Sequence, residues 1–249
     1  MKIKEIWRKH IPLRCLSFLC ITSGMLAYMS FTPSVNGAAL KEVSIPHAPH
    51  TILGQGQRVI LIDAGHGGID GGTSYGTLLE KDLTLDISRK LYLLLRSDGF
   101  NTVLNRFGDY APSDDNRWLR SSSRHMRDLA QRKELAETLP TTVVVSIHVN
   151  WAPSSSPHGP IVLYRQKEGR SFMLAKAIQG ELNGLYGVKG EVKPGKPFYL
   201  LNTITAPTVI VEAGFISSPA DRAKLCSPFG QQAIAEAISR GIRVYLTEV

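Results

Sequence analysis

From about residue 58 onward the chain alternates between short β-branched apolar runs and longer segments with an apolar residue every three or four positions. "RVILID" (58–63), "NTVLNR" (101–106), "TTVVVSIHVN" (141–150), "PIVLYR" (160–165), "PFYLL" (197–201) and "APTVIVEAG" (206–214) read as strands. Between them, 82–99, 126–139 and 171–187 read as helices, and 229–246 as a closing helix. In 82–99, Leu83, Ile87, Leu91, Leu94 and Leu95 share one face, and Gly99 ends the pattern. Strand–helix alternation leaves few packing solutions. It predicts an α/β fold: one domain over 58–249, with a mostly parallel or mixed twisted sheet of about six strands and helices on both faces. The polar stretch 107–125 has no periodicity and is expected to be a surface loop, where substrate contacts often sit.

The first 57 residues follow a different grammar. A basic stretch to Arg14 precedes an uncharged run, 15–31, and then "TPSVNGAAL". This is the layout of an export element, so 1–39 is expected to be a signal peptide or an N-terminal membrane anchor. Residues 40–57, with Pro46, Pro49, Gly54 and Gly56, read as a linker into the body, with no added wall-binding repeat. The body is then exported, touching a membrane only through its N-terminal segment. The leader also inflates the formal net charge of +8. Residues 1–39 hold five Lys and Arg against one acid, leaving 24 basic and 20 acidic residues (+4) for the rest. No nucleic-acid signature accompanies so small an excess, and no nucleic-acid partner is expected. Cys226 is the one cysteine beyond the leader, which excludes an internal disulfide or a thiolate metal cluster in the body.

In open α/β sheets ligands bind at the carboxyl ends of strands. His66 follows the first strand in "IDAGHGGIDGG", His148 closes "VVVSIH", Glu212 closes "TVIVE", and Glu80 precedes the first long helix. Two imidazoles and a carboxylate are a known ligand set for catalytic zinc, and a further carboxylate can serve as general base. Glycines around His66 let the backbone turn sharply enough to aim it inward. Each residue also has a plainer reading. A strand-end histidine can be a hydrogen-bonded core residue, and Glu80 can simply favour the helix dipole. The helical H-E-x-x-H zinc signature is absent, as are both glycine-rich phosphate-binding spacings.

Taken together, the blocks "IDAGHGGIDGG", "LLEKDLTLDIS", "VVSIHVN" and "IVEAGFISSPAD" resemble, in order, those of the zinc-dependent N-acetylmuramoyl-L-alanine amidases, over roughly 58–246. The resemblance implies one zinc ion per chain on His66, Glu80 and His148, with Glu212 as catalytic base. The reaction implied is hydrolysis of the peptidoglycan amide between N-acetylmuramic acid and L-alanine. Arg106 and Arg132 fall where the family carries arginines; they could hold stem-peptide carboxylates or make structural ion pairs. Asn150 could position substrate or cap a turn. Glu137, Ser218 and Ala64 depart from common family residues, and none is a proposed ligand. The compact plan is similar to the sporulation type, which acts in the spore cortex ahead of a polysaccharide deacetylase that forms muramic δ-lactam. Two readings compete: a zinc peptidase cutting within the stem peptide, and a catalytically inactive peptidoglycan-binding module.

Overall fold

The computed structural model describes residues 58–114 and 118–248. The expected leader and linker lie outside the described residues. In chain order the elements are β1 (Val59–Ala64), a small hairpin of β2 (Ser74–Tyr75) and β3 (Leu78–Leu79), α1 (Glu80–Ser97), β4 (Thr102–Leu104), α2 (Arg124–Thr138), β5 (Thr141–Asn150), β6 (Ile161–Tyr164), α3 (Gly169–Tyr186), β7 (Lys193–Pro194), α4 (Tyr199–Thr203), β8 (Thr208–Phe215), α5 (Pro219–Cys226) and α6 (Pro228–Glu248). The main sheet has six strands in the order β4-β1-β5-β8-β6-β7. All neighbours run parallel except β6, which is antiparallel to β8. The expected α/β class and mixed, mostly parallel sheet are therefore what the chain forms.

β1 is buried along its whole length because it has strand neighbours on both edges and helices on both faces. Its alternate residues serve different layers. Ile60 and Ile62 join the larger core with α1, α3 and α6, through Leu83, Ile87, Leu91, Leu174, Ile178, Ile234 and Ile238. Leu61 turns to the opposite face, against Val144 of β5, Ala136 of α2 and Leu200 and Ile204 around α4. Ile87, Leu91 and Leu95 expose no surface; burial of such side chains contributes roughly 1.5–3 kcal/mol each. Among the described residues no helix is long and apolar enough to cross a membrane.

Three local features depart from these expectations or add to them. "PFYLL" forms no strand: Tyr199–Thr203 is a helical turn, with Asn202 Nδ2 and Thr203 Oγ1 bonded back to Phe198 O and Tyr199 O. Buried Leu200, Leu201 and Ile204 have helical spacing, and Ile204 lies just past the stretch taken for a strand. The sheet instead gains the two-residue β7. Second, α5 stands as a separate helix, capped by Ser218 with Pro219 in its first turn. Third, the stretch 107–125 contains a short 3-10 turn, Pro112–Asp114, and the first residues of α2.

Candidate metal centre and active site

His66, Glu80 and His148 converge at the carboxyl end of the parallel strands. His66 directly follows the turn out of β1, Glu80 is the first residue of α1, and His148 lies near the end of β5. His66 Nε2 is 3.1 Å and His148 Nδ1 3.0 Å from the same oxygen, Glu80 Oε1. One donor atom from each residue lies within 4.8 Å of the other two. With zinc–ligand bonds near 2.0–2.1 Å, the edge of a tetrahedron is about 3.3 Å, so the spacing and the nitrogen–nitrogen–oxygen chemistry of the set fit zinc.

The surrounding backbone is shaped to this cluster. His66 itself adopts a left-handed conformation, φ 59°, uncommon for a residue with a side chain. A Cβ on Gly65 would collide with the His148 ring, and one on Gly72 with the Glu80 carboxylate. Glu80 is oriented by two backbone donors, Val149 N–H to Oε1 (3.0 Å) and Thr73 N–H to Oε2 (2.8 Å). Burial works against its charge, yet His148 and His66 hold the carboxyl well below its usual range. Burial likewise works against a charged His66, but Glu80 and Asp70 raise its pKa to about 9.

Asp70 is a site residue that sequence reasoning missed. Its Oδ2 lies 2.9 Å from His66 Nδ1, and its Oδ1 accepts from Gly72 N–H at 3.1 Å. Paired backbone bonds between Gly67 and Asp70 close the turn that brings it there. An Nδ1–H held on a carboxylate makes Nε2, the nitrogen facing Glu80, the one that would give up its proton to a cation. The available signal was an acid four residues after a histidine inside a glycine turn.

Glu212 sits on β8 directly across from His148 in the β5–β8 ladder. Burial pushes its carboxyl up; Glu80 adds to the rise, while His148 and His66 oppose it. Its side chain forms no hydrogen bond with another described residue, which leaves the carboxyl oxygens available to a proton on a reactant.

The two arginines serve the scaffold. Arg106 has no exposed surface, and its donors go to the carbonyls of Ala64 (3.1 Å), Gly65 (2.9 Å), Lys81 (2.8 Å) and Gly108 (3.1 Å). Arg132, 5% exposed, pairs with Asp63 (2.6 Å) and Asp128 (2.7 Å) and also binds Ala64 O and His66 O. Of the two readings open for Arg106 and Arg132, these contacts favour structural pairing: both guanidinium groups are buried and bond the turn that carries His66. Asn150, half-buried at the end of β5, accepts from Trp151 N–H (2.8 Å) through its side-chain oxygen.

Known proteins share this arrangement of sequence and fold. Residues 60–244 match the family described as N-acetylmuramoyl-L-alanine amidase. The germination-specific N-acetylmuramoyl-L-alanine amidase of Bacillus subtilis is 34% identical over 194 residues, covering 77% of this chain and 81% of that protein. The CwlD amidase of Clostridioides difficile, solved in complex with the GerS lipoprotein, superimposes with a TM-score of 0.72 at 34% identity. That match covers 78% of this chain and all of the other. The amidase AmiC2 of Nostoc punctiforme gives a TM-score of 0.65 at 30% identity, over 77% of this chain and 98% of that one. With the family match spanning most of the body and the fold agreeing, this chain belongs to the N-acetylmuramoyl-L-alanine amidases, the hydrolases of the bacterial cell wall.

Proposed function

We propose that the amidase is zinc-dependent, with one ion per chain held by His66, Glu80 and His148, and that Glu212 is its catalytic base. The observation that carries this reading is the convergence of two imidazole nitrogens on one carboxylate oxygen at 3.0 and 3.1 Å, with Glu212 in register beside them. Zinc, when bound, supplies Lewis acidity: it lowers the pKa of water to about 7 and polarises a carbonyl. The protein's own groups do the rest. Glu212 takes a proton from the attacking water and returns it to the departing L-alanine amine. Its raised pKa suits both transfers, because a carboxyl that ionises nearer neutrality both accepts and releases a proton readily. Asp70 fixes the tautomer of His66, while Arg106 and Arg132 hold the backbone on which His66 stands. Asn150, at the end of the His148 strand, positions substrate.

The substrate is peptidoglycan, and the place of action is outside the cytoplasmic membrane. The germination-specific name of the Bacillus subtilis relative supports a spore-cortex role, with a polysaccharide deacetylase acting on the product to form muramic δ-lactam. The test is metal analysis of the purified protein followed by mass spectrometry of digested peptidoglycan. Stoichiometric zinc, peptides with a free L-alanine amine and intact glycan are expected. Cleavage inside the stem peptide, with L-alanine still on the lactyl group, would assign the protein to the peptidases instead.

A further inference from the structure

Arg222 of α5 is half-buried and makes no ion pair with any described carboxylate. Two contacts fix it. Its Cζ lies 3.6 Å from the centroid of the Tyr75 ring, and its Nη1 donates to Ile216 O at 2.8 Å. The remaining N–H groups of its guanidinium have no hydrogen-bond partner among the described residues. Both anchors lead into the catalytic rim. Tyr75, itself 52% exposed, belongs to the hairpin whose Thr73 N–H holds Glu80. Ile216 follows the end of β8, the strand of Glu212, and its N–H donates to Asn150 O at 2.7 Å.

A partly desolvated cation is costly to leave without a counter-charge, and stacking with one carbonyl only partly offsets that cost. Held on an aromatic face with part of its fork unused, a guanidinium is set to receive a planar anion through two parallel bonds. The arginines that the sequence pointed to for this task, Arg106 and Arg132, are committed to the scaffold. We infer that Arg222, stacked on Tyr75, is a specificity-determining residue that receives a free carboxylate of the stem peptide beside the scissile amide. The inference rests on the amidase reading and names the substrate chemistry that reading leaves open.

The test compares two muropeptides of one sequence, with the stem-peptide carboxyl groups either free or amidated. The unmodified protein is expected to show a KM about ten-fold lower or better for the free form, the range of one charge-assisted contact. Arg222→Gln should collapse that preference, and Arg222→Lys, which loses the fork, should restore only part of it. Equal KM values for the two substrates in the unmodified protein would overturn the inference without any variant. So would an Arg222→Gln protein that keeps the preference. Failure of the unmodified protein to release an L-alanine amine from either substrate is a different result: it rejects the amidase reading, and this inference with it.

Discussion

Replacing Asp70 isolates the part of metal affinity that comes from holding His66 in place. Asp70 touches the histidine at one point, Oδ2 to Nδ1 at 2.9 Å, and its other oxygen secures Gly72 N–H. Carboxylates in this position contribute about 10–100-fold to metal affinity, equivalent to about 1.4–2.8 kcal/mol. The Asp70 side chain is 39% exposed, so its charge is partly screened and the electrostatic share falls at the low end. Asp70→Asn can turn its one oxygen to the Nδ1–H, but it loses the charge, and its NH2 cannot accept from Gly72 N–H. A drop in zinc affinity of about ten-fold is expected for it. Asp70→Ala removes the tautomer lock as well, and should approach a hundred-fold. Competition against a fluorescent zinc chelator at neutral pH measures both. Zinc affinity of Asp70→Ala equal to that of the unmodified protein would refute the reasoning. A loss in Asp70→Asn as large as that in Asp70→Ala would refute the share assigned to the acceptor on His66 Nδ1–H.

Glu212→Gln should retain zinc while release of L-alanine amines falls about 10²–10⁴-fold, the range of a lost general base; near-normal turnover would remove Glu212 from that role. Gly65→Ala should fold but bind zinc poorly, since the added methyl meets the His148 ring; circular dichroism beside metal analysis separates the two effects. Arg132→Met leaves Asp63 buried and without its cation, at a cost of about 3–5 kcal/mol in urea denaturation. The same pair gives an acid limit. Burial raises the pKa of Asp63, but Arg132 and Ser146 bring the net value below that of a free carboxyl. Its contribution is therefore present above the unfolded-state pKa of about 3.9 and is lost as pH falls through the lower folded value. A stability profile flat from neutrality to pH 2 would contradict this.

The candidate metal cluster was legible in the sequence because its members stand where regular structure begins or ends. The apolar runs that end near His66, His148 and Glu212 are central strands, and such strands bring residues far apart in sequence to one edge. Solvent exposure was not legible in the same way. Arg106 and Arg132 lie in segments that look polar, and nothing local says that their heads turn inward to the carbonyls of Ala64, Gly65 and His66. The clue was indirect: Asp63, at the end of a fully apolar strand, needed a buried cation. Short elements were hidden for another reason. Five residues such as "PFYLL" fit either period, and only Ile204 beyond them decides for the helix.

The reversed direction of β6 has a consequence for how such an enzyme can diversify. Because β6 runs against β8, Ile161 begins beside Glu212, and the chain between β5 and β6 never leaves the reactive end of the molecule. Its two feet are tied down, Ala152 N–H to Ser217 Oγ and Gly159 N–H to the buried Asp221 carboxylate. The residues between, 153–158, are exposed and contribute nothing to the hydrophobic interior. Evolution can thus lengthen, shorten or rewrite this span to suit a new wall architecture while the hydrolytic centre keeps its shape.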